Sequence, residues 1–373
     1  MRTRTILAVF CLAIAGLAGA TPRHRWWAAA GKIRLAGDLP TRLIVSGNGR
    51  QLLAITSGGH RPAVYRINLK SGKVVQSLAV GRAWAGACQS ADGKTLYLST
   101  GGPPSNEFPV AKGLSPATLE ALKFPIVRVD LQTGLKVLGG MSIQGLDDTN
   151  RWVGGLAAGP DGAIYALNLP NRTVYEIEQI GVSTAKVGAA PGRVVVSPDG
   201  RVIAVSNFGD GSVSFLDWEG LSLISKVGAG VGPREMVWSK DGGTIFVACL
   251  AADYVVEICR EQPFDPNVMF HSPRMEPPFY QVQEHIKLGR RVRVAPDAVA
   301  LSADGKRLFV AEANVNRVAV VDVSLIGHSR LVGFIPTGRY PSALAVSLDG
   351  RRLYVGVGFG QRGGAVQVFR LRR

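Results

Sequence analysis

One short phrase recurs along the whole chain, and it constrains the fold more than any other feature. "SPDGRVIAVSN" stands at 197–207, "SADGKRLFVAE" at 302–312, "SLDGRRLYVGV" at 347–357, "SADGKTLYLST" at 90–100 and "SKDGGTIFVAC" at 239–249. Each is a polar turn ending in glycine, followed by a short run of aliphatic and β-branched residues. Anchored on the turn glycine, the series is Gly49, Gly93, Gly162, Gly200, Gly242, Gly305 and Gly350, with gaps of 44, 69, 38, 42, 63 and 45. Four gaps match the roughly 40–45 residues of a four-stranded propeller blade, and the other two equal one blade plus about 20–30 residues.

A complete unit, "PDAVALSADGKRLFVAEANVNRVAVVDVSLIGHSRLVGFIPTG", divides into four strands, "AVALS", "RLFVAE", "RVAVVDV" and "RLVGFIPTG". Each is short, β-branched and bounded by turn residues. The Asp-Gly pair supplies the positive φ that a tight hairpin needs. One such sheet cannot bury its faces alone, so it must stack on neighbours around an axis. The expected fold is all-β: a seven-bladed β-propeller of four-stranded antiparallel blades. The last blade, from Pro341, has only three strands of its own. "GKIRLAG" at 31–37 precedes the first anchor and supplies the missing fourth, around 33–36 against 366–369, which closes the ring and hides its edges.

These units resemble the YVTN-type repeats of bacterial seven-bladed propellers, worded close to P-x-x-x-A-V-S-P-D-G-x-x-L-Y-V-A-N. "YPSALAVSLDGRRLYVGVG" at 340–358 is the nearest match and "APDAVALSADGKRLFVAEANVNRVAVVD" the next. The resemblance covers nearly all of the chain and implies the fold. It implies no single chemistry, since related propellers serve as binding modules, enzyme subunits and cell-envelope proteins. Some relatives carry a phosphatase domain after similar repeats, but here the last residues read as a propeller strand and that activity is not carried over. Neither the Trp-Asp dipeptide of WD repeats nor the Trp-ending pattern of quinone-cofactor propellers recurs, and no cofactor is called for.

Residues 1–20 read as a secretory leader. Arg2 and Arg4 precede a short apolar run, and "AGA" at 18–20 provides small residues for cleavage. The expected mature protein, 21–373, is periplasmic or secreted, a single propeller domain, monomeric, without a membrane span. Its formal charge of +16 becomes +14 once the two leader arginines are lost. That balance favours anionic partners: a small molecule, a glycan or an acidic protein surface. Nucleic acid fits the charge, but no motif supports it.

In a propeller the connections leading into the innermost strands cluster at one mouth of the central tunnel. Pro40, Pro191, Pro233, Pro296 and Pro341 mark the strand starts, where proline needs no ladder partner. Arginine recurs in all seven connections: Arg42, Arg82, Arg151, Arg193, Arg234, Arg293 and Arg339. Trp84, Trp152 and Tyr340 share these segments, as do the acids Asp38, Glu235 and Asp297. Guanidinium forks suit carboxylate or phosphate, and flat rings offer stacking surfaces. A basic mouth for an anionic ligand and a set of solvated arginines balanced by acids both fit this pattern.

Catalytic motifs are sparse. No nucleophile elbow, phosphate loop or paired histidine ligand spacing is present. A hydrolase or lyase of the lactonase kind would have to recruit Glu235, Asp297, His60 or Glu312 at the mouth. Two insertions break the repeat. Residues 101–125 fall on the mouth face and contain Ser115-Pro116 before "ATLEALK", an N-cap, a proline at N1 and two helical turns, fitting a lid or a decoration. Residues 261–281 fall on the opposite face, where Phe264, Met269, Phe270, Phe279 and Tyr280 form a docking strap or a cover. The strand register sets Cys249 and Cys259 at opposite rims of one blade and Cys88 three blades away, so three free thiols are expected.

Overall fold

The computed structural model describes residues 27–58, 62–81, 86–100, 114–147, 152–178, 181–261, 279–289, 293–358 and 363–372. Among them, 28 strands form seven four-stranded sheets. We number the blades from their first strands: Leu39–Val45, Ala87–Gln89, Val153–Ala158, Pro191–Val196, Pro233–Trp238, Pro296–Leu301 and Pro341–Val346. These strands pack against one another from blade to blade and so surround the axis. The fourth strands are outermost and wet, as the mostly exposed Lys73–Ala79 shows.

The recurring phrase has a physical cause. In all seven turns the glycine takes a positive φ, from +65° to +95°. In six turns its N–H donates to the carbonyl of the serine three residues earlier. That serine hydroxyl donates to the turn aspartate, at 2.5 Å for Ser197–Asp199 and 2.6 Å for Ser90–Asp92, while accepting the backbone N–H five residues on. Asn48 replaces the aspartate in blade 1. Ser-x-Asp-Gly is therefore a self-satisfied hairpin, with the αL glycine joining turn to strand.

The core lies between blades. One cluster joins Leu53, Ile55 and Val64 of blade 1 to Leu96, Leu98 and Val127 of blade 2. Another joins Tyr165 and Leu167 of blade 3 to Val194 and Ile203 of blade 4. Near the axis the approach becomes backbone to backbone. A Cβ on Gly86 would stand 2.0 Å from the Gly154 carbonyl oxygen of the next blade. Gly86→Ala should therefore cost about 1–3 kcal/mol by overpacking, read as a lower denaturation midpoint; an unchanged midpoint would refute this contact.

Ring closure occurs as expected, with a longer strand. Trp27–Arg34 pairs antiparallel with Ala365–Leu371, placing Ile33 opposite Val366 and Trp27 opposite Leu371. The strand starts four residues upstream of "GKIRLAG", and Ala36 lies beyond its end. Trp27 packs edge-to-face on Phe369 at 5.8 Å.

Cys88, Cys249 and Cys259 are free and buried. Cys249 pairs with Pro233 at one end of its strand, and Thr244, at the other end, pairs with Cys259. Five residues at ~3.3 Å put the two thiols on levels about 17 Å apart, beyond the roughly 7 Å a disulfide spans. Burial pushes the Cys88 and Cys249 thiols up to about 12. Alkylation without reductant should leave them unlabelled in the native protein and label all three after unfolding; one label only would require a bridge.

The first insertion lies between strands that end at Ser99 and open at Ile126, as expected, and the second is shorter than the repeat implied. Helix Pro116–Ala121 forms with Ser115 as its N-cap, Thr118 N–H donating to the hydroxyl at 3.2 Å. It packs on the third and fourth strands of blade 2, with Ala121 and Leu122 in the core, so this part flanks the blade and is not a lid. Residues 101–113 lie outside the described residues. In the second insertion Glu261 ends one strand and Phe279 opens the next. Tyr280 is buried and stacks on Phe215 of the neighbouring blade at 3.8 Å, as a cover would and a docking strap would not. Phe264, Met269 and Phe270 lie outside the described residues.

Candidate functional site

Arg42, Arg193 and Arg234 are not in the connections. They sit inside the innermost strands, two or one residues past Pro40, Pro191 and Pro233. This brings their side chains onto the tunnel mouth together with Glu235. Arg193 Nη2 lies 2.5 Å from Glu235 Oε2, and Arg42 Nη1 lies 2.8 Å from Oε1. Blades 1 and 5 are not neighbours, so the Arg42–Glu235 bridge crosses the tunnel. Arg234 Nη1 meets Asp297 Oδ1 at 2.9 Å, joining blades 5 and 6.

Burial by itself raises the Glu235 carboxyl, but Arg193 and then Arg42 hold it below the usual range. It is ionised at neutral pH. Burial draws Arg193 down to about 10, still protonated at neutral pH. Asp297 behaves differently: burial pushes it up, and Arg234 offsets this only in part. The two acids thus occupy unlike environments, one locked as a counterion and one resisting ionisation.

Arg293 and Arg339 do lie in the connections, exposed, and neither forms an ion pair among the described residues. Arg42 and Arg234 keep 26% and 38% of their side-chain surface. Tyr340 is half-buried, near Arg234 and Asp297. Trp152 immediately precedes the first strand of blade 3, its carbonyl accepting the Leu169 N–H. Arg82, Trp84, Arg151 and His60 lie outside the described residues. Glu312 does not join the mouth acids: it is fully buried and ion-paired with Arg317. Among the described residues no group of three His, Cys, Asp or Glu is disposed to hold a metal ion.

Backbone strain concentrates at this mouth. Ala190, Ala295 and Tyr340 stand at φ +46°, +53° and +50°, each directly before the proline that opens an inner strand, and Gly232 does the same at +68°. Each non-glycine residue in this region costs about 1–3 kcal/mol. The chain accepts that cost to turn a tight corner beside the charged residues. No sequence signal short of the residue-before-proline position announces it.

Below the mouth, the inner strands of blades 1, 5, 6 and 7 enclose a channel of about 560 Å³. Sequence reading missed this wall, and also Ser342, whose hydroxyl donates to the Pro40 carbonyl at 2.6 Å and ties blade 7 to blade 1.

A family model described as "Lactonase, 7-bladed beta-propeller" matches residues 224–373, blades 5 to 7 with the end of blade 4. No curated protein matches. Among solved structures, the beta-propeller domain of Cps50 (Swd1) from Myceliophteria thermophila is similar with a TM-score of 0.66 at 12% identity, covering 92% of this chain and 99% of that one. Hydrazine synthase from Kuenenia stuttgartiensis is similar with a TM-score of 0.65 at 19% identity, covering 90% and 97%. At such identities the likeness is one of fold. The chain is a seven-bladed β-propeller, closed by its own N-terminal strand.

Proposed function

We propose that this protein is an exported binding module of the YVTN-repeat kind that holds an anionic ligand at the tunnel mouth. One observation carries the reading. After Glu235 and Asp297 have taken their partners, Arg42 and Arg234 still present guanidinium edges to solvent, and the exposed Arg293 and Arg339 form no ion pair among the described residues. Positive charge in a concave, partly desolvated site favours carboxylate or phosphate, and planar forks fix its orientation. The strained connections around it fit a mouth whose geometry is set in advance. Periplasmic or secreted residence follows from the charged, apolar and small-residue order of residues 1–20.

A thermal-shift screen of anionic sugars, nucleotides and cell-wall fragments tests this. A ligand that binds the native state raises the melting temperature by mass action. Shifts should be confined to anionic compounds; a screen without one would refute the reading.

A second reading, a lactonase-like hydrolase, is favoured by the family match across Glu235, Asp297 and Tyr340. Asp297, buried and with its carboxyl pushed up, is the group there suited to move a proton. Turnover of a lactone panel that disappears in Asp297→Asn would select this reading, and turnover unaffected by that change would exclude it.

A further inference from the structure

The channel below the mouth has unlike ends and an apolar middle. Arg42 and Glu235 bound it at the mouth; Lys240, Ser302 and Ser347, from the turns at the far ends of the inner strands, bound it opposite. Between them the walls are Ile44, Val45, Val237, Leu301, Leu344 and Val346. These six are apolar yet only half-buried, unlike the core side chains behind them. The six or so residues of each inner strand, at ~3.3 Å each, make the walls roughly 20 Å long. Hydrocarbon walls of this kind gain from covering by another apolar surface rather than by water. Small-ligand sites commonly have volumes of about 300–1,000 Å³, mostly apolar, with a few polar groups that fix orientation.

We propose that this channel takes an amphiphilic monoanion, its charged head at Arg42 and its apolar body laid along the inner strands. The proposal rests on the anion-binding reading above for the head group and adds the class of molecule. The head belongs at the mouth because Arg42, although bridged to Glu235, keeps 26% of its side-chain surface open to a second anionic partner. At the other end the Lys240 ammonium already donates to the Ala303 carbonyl and stands in solvent. A short polar anion would satisfy the mouth and leave the walls wet. A neutral chain would fill the walls and leave the exposed edge of Arg42 without an anion.

Calorimetric titration of the full protein with dodecanoate and with butyrate, at concentrations below micelle formation, separates the two claims. Dodecanoate should bind at least tenfold more tightly than butyrate. Ala345→Leu, which narrows the channel, should remove that advantage and leave butyrate binding unchanged. A second measurement reads the position of the apolar body directly, without narrowing the channel. Dodecanoate carrying a terminal bromine should quench the fluorescence of Trp238, which lines the channel, and the quenching should vanish in Trp238→Phe. Butyrate binding as tightly as dodecanoate, or bromine without effect on Trp238, would overturn the channel proposal while the mouth reading stands. Binding of neither acid would also overturn the channel proposal, while the mouth reading would still be decided by the thermal-shift screen.

Discussion

Replacing Glu235 with alanine should lower the stability of the protein by about 3–5 kcal/mol, the loss expected when one partner of a buried ion pair is removed. Arg193 is only 4% exposed and faces Arg42 across the same carboxylate. Without Glu235, a desolvated guanidinium loses its counterion and meets a second positive charge across the tunnel. Denaturant unfolding would measure the loss. The double change Arg193→Met with Glu235→Leu should recover much of it, because apolar replacement of a buried pair is often neutral. The pH dependence has a fixed sign. Glu235 has a folded value below its unfolded one, so its contribution is full above the ordinary carboxylate range of about 4 and lost as pH falls through the folded value. A loss under about 1 kcal/mol in Glu235→Ala would mean that the cross-tunnel bridge does not hold the ring.

Removing residues up to Gly37 should do still more damage. The strand Trp27–Arg34 supplies the outer edge of blade 7, and Ile33 and Leu35 are buried against Tyr354 and Val366. Each such side chain contributes about 1.5–3 kcal/mol on burial. Its loss also exposes Ala365–Leu371 as an unpaired strand edge, which invites pairing with another chain. The shortened protein should appear as aggregate, or melt far below the full chain. A truncated protein that stays soluble and melts with the full chain would disprove strand exchange as the closure of the ring.

These residues also show how far the sequence could be read. The blades were legible because Ser-x-Asp-Gly hairpins are local: every hydrogen bond that makes the turn lies within five residues. The separation of Cys249 from Cys259 followed from the same register. The fate of the mouth arginines was not legible. Arg42 and Glu235 stand 193 residues apart, and only closure of the ring brings them together. The prolines stand at the strand starts as expected, and Arg42, Arg193 and Arg234, one or two residues on, therefore belong to the tunnel wall and not to the connections to which they were assigned. The early start of the closing strand was hidden by its alanine-rich beginning, where pairing with an open edge outweighs weak strand propensity. Tyr280 looked exposed within a proline-rich stretch, yet it stacks under the neighbouring blade.

The most direct test of the central claim is the affinity of an anionic ligand, taken from the thermal-shift screen, for the native protein and for the double variant Arg234→Gln, Arg339→Gln. Both side chains reach solvent, neither belongs to the Arg42–Glu235–Arg193 bridge, and Asp297, the partner Arg234 leaves behind, is already pushed by burial toward its neutral form, so the fold should survive. Exposed ionic contacts weaken as salt rises, with a screening length of about 10 Å at 0.1 M. Titrations at two salt concentrations should show at least a tenfold weaker affinity in the variant and a flatter dependence on salt. Equal affinity and equal salt dependence in the two proteins would contradict a ligand site at the tunnel mouth.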